Sequence, residues 1–335
     1  MNKLFFVLPI ILMGCSLLPK SEKKIQLMGE AQGTYYSITY FDQQERDLQL
    51  EIDSILDDFD MSVSLWVPES VLSRVNRNDS TVSLDKNFIG NFDISEDVAG
   101  KTAGAFDFTI GKLVKAWGFG YDHTRNIDSL LVDSLLQISG YRKVKIVNNR
   151  VVKENPLITF DFNAVAQGYS VDVVADYLES KGITNYLIDI GGEVKAHGIK
   201  ADGSKWRIGV EKPAKHKDDE RDLKAVVELE DISIATSGNY RKFYVENGIR
   251  YSHTINPHTG YPARNRLLSV SVLHKSTAYA DAFATSFMVM GYERSKQFVE
   301  KEPDLEAFFI YSTPGGEYAT YATQGFKSKI SQEFD

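Results

Sequence analysis

Two short stretches hold most of the residues whose types and spacing suit chemistry. His253-Thr254-Ile255-Asn256-Pro257-His258-Thr259-Gly260-Tyr261-Pro262 reads HTINPHTGYP, and Ala280-Asp281-Ala282-Phe283-Ala284-Thr285 reads ADAFAT. Pro257 and Pro262 restrict the first stretch to a turn, and Asn256 and Gly260 suit one. His253 then stands on a rim, at the end of a strand-like segment over 249–252. An imidazole there can take a proton from a hydroxyl near neutral pH, although a histidine at a strand end also serves plain structure. The second stretch is flanked by Phe283, Phe287, Met288 and Val289, which predicts a largely buried helix. Asp281 and Thr285 are four apart and share one face of it. A carboxylate and a hydroxyl so placed offer two oxygens to a hard cation such as Mg²⁺. They serve equally well as a helix N-terminal charge and a local hydrogen bonder, and residue types alone leave both readings open.

A third stretch, Asp161 to Tyr169 (DFNAVAQGY), reads as an extended segment entering a helix. Asp161 is placed to cap or to bind a ligand. The Ala164 carbonyl precedes the regular helix and is a candidate metal acceptor, and Gly168 permits close approach of another surface. A capped, well-packed helix explains the same residues. Gly191-Gly192 ends an apolar strand, where backbone amides can meet an anion or simply form a tight turn. The chain has neither GxxxxGK[ST] nor GxGxxG, which disfavours the usual nucleotide folds.

Elements of both periods must position these stretches. Strand patterns cover 33–41, 157–162, 185–190, 194–197, 206–210, 223–229, 232–236, 266–274, 307–311 and a stretch near 318–321. Helical spacing covers 44–59, 88–100, 127–139, 165–181, 277–290 and a stretch near Glu293. Residues 64–76 read as a loop entering a short helix, and 104–120, with four glycines among aromatics, as loop and short helix against something flat. Charged residues 212–222 read as a solvated loop. Adjacent strands with inserted helices predict an α+β fold of mixed or antiparallel sheets with packed helices.

The 335 residues carry a net charge of −8, are 43% hydrophobic and 25% charged, and include one cysteine. No basic excess is available to neutralise phosphates, so no nucleic-acid partner is expected. Lys3, the apolar run over 4–13 and Gly14-Cys15 form a signal segment ending in a lipobox-like site, too short to span a membrane. This predicts a signal peptide over 1–14, lipidation at Cys15, a polar tether over 15–26 and one domain over 27–335, anchored on the periplasmic side of a bacterial membrane. With one cysteine, no internal disulfide can form.

Together these stretches resemble the ApbE family of flavin transferases. The pattern H-x-I-[DN]-P-x-T-G-x-P followed by A-D-A-x-x-T carries the resemblance. Pieces at 33–34, 64–76, 104–120, 161–172, 189–198 and 237–238 extend it over most of the chain. The resemblance implies a T-fold-related architecture and Mg²⁺-dependent transfer of FMN from FAD to a threonine or serine of a partner protein, releasing AMP. It implies Mg²⁺ ligands at the Ala164 carbonyl, Asp281 and Thr285, and His253 as the catalytic base. FAD contacts would come from Gln32, Trp66, Ala105, Phe106, Asp107, Asp161, Gln167 and Ile255, with Trp66 and Phe106 beside the flavin rings. The acceptor would be a flavin-carrying subunit of a membrane redox complex of the NqrC/RnfG type or another extracytosolic flavoprotein. This chain departs from the family pattern at Gln32, where methionine is usual, at Asn256, where aspartate is frequent, and at Gln167, where lysine is common. Two other functions fit the same residues: an FAD pyrophosphatase with water as acceptor, and a flavin-binding lipoprotein without chemistry.

Overall fold

Tyr36, Ile38 and Tyr40 alternate along one strand, and Tyr186, Ile188 and Ile190 along its neighbour; all six side chains are fully buried on one sheet face. That period-two pattern sets the register from which the rest of the architecture follows. The computed structural model describes residues 22–119, 127–213, 222–239, 243–246, 249–252 and 254–334.

In chain order the elements are β1 (Lys23–Ala31), β2 (Thr34–Asp42), α1 (Gln49–Val63), α2 (Val71–Asn76), α3 (Lys86–Lys101), α4 (Gly111–Ala116), α5 (Ser129–Ile138), β3 (Val144–Val147) and β4 (Arg150–Lys153). There follow α6 (Ala166–Ser180), β5 (Tyr186–Ile190), β6 (Glu193–His197), β7 (Trp206–Glu211), β8 (Leu223–Leu229), β9 (Ile232–Gly238), β10 (Phe243–Glu246) and β11 (Ile249–Ser252). The chain continues through β12 (Leu267–His274), α7 (Thr277–Met290), α8 (Tyr292–Val299), β13 (Glu306–Ser312), β14 (Tyr318–Ala322), α9 (Gln324–Lys327) and β15 (Ile330–Glu333).

An eight-stranded sheet in the order β1-β2-β5-β6-β9-β12-β13-β14 forms the centre, with every neighbouring pair antiparallel. Helices cover one face. Ile52 and Leu56 of α1 and Val171, Val174 and Leu178 of α6 close over β2 and β5. Phe283 and Phe287 of α7 join Val270, Val272 and Phe309 of the sheet and the phenylalanines of α3 in the main core. A three-stranded sheet, β15-β8-β7, covers the other face through Trp206, Val227 and Leu229 against Val194, Ile234 and Phe308. Strand β12 is therefore buried on both faces, and in its sequence (LLSVSVLH) Ser269 and Ser271 are buried like Val270 and Val272. The architecture is α+β, as expected.

Several boundaries differ from the sequence pattern. Strand β1 pairs with β2 from Lys23 onward, so residues 23–26, expected as tether, belong to the sheet. Helix α1 begins at Gln49 rather than near 44, because the Asp42 carboxylate accepts from the amides of Gln44 and Arg46 and holds a turn there. Residues 157–162 form no strand beyond an isolated bridge between Thr159 and Ile110. Their backbone groups go instead to the Asn76 carboxamide, which bonds both Phe160 N (2.7 Å) and Phe160 O (2.9 Å), to Phe108 O and to Gly111 N. In α5 the buried residue is Val132, whereas Leu131, Leu135 and Ile138 stay partly exposed.

Candidate functional site

Helix α7 supplies the first two donors. Its N-terminus is capped by Ser276, and from Ala280 to Val289 every residue except Thr285 is buried. Thr285 therefore marks the one point where this part of the helix reaches solvent. Asp281, one turn earlier on the same face, is only 6% exposed. Its Oδ2 accepts from the backbone N–H of Gly168 at 3.2 Å. The Thr285 hydroxyl lies 3.3 Å from Ser237 Oγ at the end of β9.

That Gly168 bond ties ADAFAT to the turn preceding α6. In regular helical pairing Gly168 N–H would be given to the Ala164 carbonyl. Here it is given to Asp281, and no described residue donates to Ala164 O. Gly168 is required for the approach, since a Cβ there would stand 2.5 Å from Thr277 O and 2.9 Å from Ala278 Cα. The donors are one buried carboxylate, one hydroxyl and one released carbonyl. This all-oxygen set suits a hard divalent cation that keeps water or ligand oxygens in its other positions. Among the described residues no group of three or more His, Cys, Asp and Glu assembles.

Beside this pair runs a polar seam between α6 and the β1–β2 turn. Gln167 Nε2 donates to Ile190 O (2.9 Å) across Gly191, where any Cβ would collide with the Gln167 amide. Ser170 gives its hydroxyl hydrogen to Gln167 O (2.7 Å) and lies 3.3 Å from Gln32 Oε1. Gln32 sits in the left-handed region (φ 56°), and its Nε2 is buried without a hydrogen-bond partner. The Gly191-Gly192 amides are already committed, to Tyr35 O and Asp189 Oδ1, so that turn is a tight turn rather than an anion cradle.

The other expected FAD contacts lie on loops. Asp161 donates its N–H to Phe108 O (2.8 Å) and accepts from Asn163 N (2.9 Å), and burial pushes its carboxyl above the usual range. Asp107 accepts from Thr109 N, Thr109 Oγ1 and Tyr141 N at 2.6–2.9 Å; burial raises its pKa, while those bonds and the nearby His258 oppose the rise. Both Asp107 oxygens are thus used in shaping the loop that carries Ala105 and Phe106. The resemblance puts Phe106 beside a flavin ring, but the residue is only 3% exposed, packed in the main core, and gives its N–H to Thr102 Oγ1 (3.2 Å). Trp66 is the opposite case: its indole is 60% exposed and available as a flat apolar wall.

From Thr254 to Pro262 the turn forms as expected. Gly260 N and Thr259 N donate to Asn256 O, His258 N donates to Asn256 Oδ1, and Ile255 bridges Pro262. Asparagine thus serves the turn. Ile255 is buried with Ile110, Leu113, Trp117 and Val132, and Trp117 Nε1 donates to Gly260 O at 2.7 Å. An open cleft of about 470 Å³ lies along this turn, lined by Trp117, Asn256, Tyr261 and Arg264 among others. His258 reaches the opposite loop, with Cε1 3.3 Å from where a Gly104 Cβ would stand. His253 and Cys15 lie outside the described residues.

The ApbE family model matches residues 32–309. The chain belongs to the ApbE family. It is 38% identical over 333 residues to the FAD:protein FMN transferase of Vibrio cholerae serotype O1, spanning 96% of this chain and 97% of that protein. It is 31% identical over 344 residues to the enzyme of the same name from Haemophilus influenzae, spanning 98% of both. The flavin transferase ApbE structure from Vibrio cholerae superposes with a TM-score of 0.82 at 36% identity, over 92% of this chain and 99% of that one. The apo flavinyl transferase ApbE of Pseudomonas stutzeri gives a TM-score of 0.83 at 30% identity, over 94% and 99%. Family membership agrees with the resemblance read from the motifs. Sequence reasoning assigned no role to Asn76, Ser170, Asp172 or Ser237. All four lie in family-like pieces, but their importance comes from contacts between distant segments.

Proposed function

We propose that the chain is an Mg²⁺-dependent enzyme that transfers FMN from FAD to a threonine or serine hydroxyl of a partner flavoprotein, releasing AMP. The observation that carries this reading is the Gly168–Asp281 bond, which joins ADAFAT to the DFNA turn and releases the Ala164 carbonyl. Asp281, Thr285 and Ala164 would hold Mg²⁺, which when bound neutralises charge on the diphosphate. The acceptor hydroxyl attacks the phosphorus of the FMN half. The P–O bond to the AMP half breaks and AMP carries away the electron pair. His253 takes the hydroxyl proton. Trp66 offers its face to a flat ring, and the loop held by Asp107 presents backbone to the nucleotide. Gln32, Gln167, Asp161 and Ile255 complete the proposed FAD contacts. Phosphoryl transfer depends on positioning more than on covalent assistance, which suits a site built from helix packing and loop anchors.

The same reading places the protein outside the cytoplasm, lipidated at Cys15 after removal of residues 1–14, and acting on an acceptor of the NqrC/RnfG type or another extracytosolic flavoprotein. No helix among the described residues is long and apolar enough to cross a membrane. The test is mass spectrometry of a threonine-bearing acceptor after incubation with the chain, FAD and Mg²⁺. A gain equal to FMN, with one AMP per acceptor, is expected. Free FMN and AMP from an unmodified acceptor would instead assign hydrolysis, with water as the nucleophile.

A further inference from the structure

Asp172 lies on α6 one turn beyond Gly168, outside the donor set, and five hydrogen bonds converge on it. Its Oδ1 accepts from Lys195 Nζ (2.9 Å), Thr277 N (3.0 Å) and Thr277 Oγ1 (3.0 Å). Its Oδ2 accepts from Ser276 Oγ (2.7 Å) and Ala278 N (3.1 Å). A carboxylate from one helix thus caps the N-terminus of another, where unpaired N–H groups and the helix dipole favour it. Ser233 of β9 hydrogen-bonds Thr277 Oγ1 at 2.8 Å, and Lys195 of β6 also donates to Lys275 O. The cap is therefore anchored to the sheet as well as to α6.

The spacing gives this cap its reach. Gly168 and Asp172 are four apart on α6; Thr277, Asp281 and Thr285 are successively four apart on α7. Each set forms one stripe. The two stripes meet in two rungs: Asp172 to Thr277 and Gly168 to Asp281. The missing side chain of Gly168 lets the helices close between the rungs. The first rung sets the axial rotation of α7 and so where the carboxylate of the second points.

We infer that Asp172 is a positioning residue for the cation site: it fixes the rotation and depth of α7 so that Asp281 and Thr285 present their oxygens together beside Ala164. This rests on the proposed Mg²⁺ role of those donors. It adds that the site's affinity is set by a carboxylate that does not touch the cation. Outer-shell partners of metal ligands typically govern affinity by about 10- to 100-fold.

The experiment uses the full chain, with Mg²⁺ alone as the probe. Asp172→Asn keeps the size but sets an NH₂ against donors whichever way the amide turns. Two quantities are read: the melting temperature without metal, and the half-saturating Mg²⁺ (the dissociation constant) fitted from the logarithmic rise of that temperature with Mg²⁺ concentration. Asp172→Asn is expected to raise the half-saturating Mg²⁺ about tenfold, and raised Mg²⁺ is expected to recover much of the lost AMP release. Thr277→Val, which removes a single hydroxyl from the rung, is expected to raise it by a smaller factor. A fall in melting temperature with wild-type half-saturation would make Asp172 a structural cap only and overturns the inference. Should Asp172→Asn not fold, Thr277→Val is judged by the same criterion. Asp281→Ala is the control. A wild-type chain with no more Mg²⁺ response than Asp281→Ala removes the cation site and this inference together. A normal wild-type response with both rung variants unmoved removes this inference alone.

Discussion

The α6–α7 contact and the loops that carry the other expected contacts build geometry in different ways. On the helix side, backbones touch: Gly168 leaves no room for a Cβ, Asp281 is buried, and Asp172 caps α7 with five bonds. On the loop side, single side chains tether extended backbone: Asn76 to Phe160, Asp107 to Thr109 and Tyr141, Trp117 to Gly260. The first arrangement resists small displacements, because shifting a helix disturbs a packed core. The second yields one bond at a time. A hard cation needs oxygens held to a few tenths of an ångström, whereas a long dinucleotide can be met by adjustable loops. The contrast assigns rigidity to the metal donors and adaptability to the nucleotide contacts.

Removing a donor on the rigid side should have the largest effect. Asp281→Ala is expected to lower Mg²⁺-dependent AMP release about a thousandfold, equivalent to about 4 kcal/mol of transition-state stabilisation. Rates at matched Mg²⁺ check this, and wild-type-like turnover would break the assignment of α7 to the cation. Next comes the helix contact itself. Gly168→Ala drives a methyl group against Thr277 O, and overpacking of this kind costs about 1–3 kcal/mol. Thermal melting should fall and half-saturating Mg²⁺ should rise. A variant that melts like wild type would mean the two helices are looser than the contact implies.

A tether on the loop side should cost less. Trp117→Phe removes the bond to Gly260 O while keeping most of the apolar contact with Ile110, Leu113 and Ile255. The expected loss is about 1 kcal/mol, seen by denaturant titration, with weaker FAD binding and an unchanged Mg²⁺ response in the melt. An equal shift in the Mg²⁺ response would erase the distinction between the two sides.

The same division explains what the sequence disclosed. The expected range for α7, 277–290, coincides with the helix found, because strong apolar content and a Ser276 cap mark both ends. That Asp281 and Thr285 share one helix face followed from their i, i+4 spacing, whereas their reading as Mg²⁺ ligands came with the family resemblance. The Ala164 carbonyl was proposed from its place before α6, and its release depends on Gly168 turning to Asp281, a contact spanning 113 residues. The loop side was harder to read. Segment 157–162 has strand-like composition, but its hydrogen-bond partners are a side-chain amide and a loop carbonyl, neither visible as periodicity. Phe106 looked like a ring neighbour by position, and only packing showed that Phe92, Phe108 and Phe160 enclose the same core. Strand β1 escaped because its outward residues (Lys24, Gln26, Met28) are largely polar and its partner β2 sets the register.

The smallest predicted effect tests whether the loop face carries a stability cost for its function. Burial raises the Asp161 carboxyl above its ordinary value, and Asn163 N is its one described backbone donor. A carboxyl whose folded-state pKa lies above its unfolded value binds its proton more readily in the native protein. Ionisation therefore opposes folding, and the penalty is present above the raised value and lost as pH falls through it to the ordinary carboxylate range. Asp161→Asn keeps an oxygen for Asn163 N and carries no charge. Without FAD it should melt slightly higher than wild type at neutral pH, and the advantage should vanish in acid, where the wild-type carboxyl is protonated in both states. Melting curves across that range check the sign. A neutral-pH loss instead would mean that the ionised Asp161 is already compensated within the protein, leaving the loop face as well satisfied as the helix side before any nucleotide arrives.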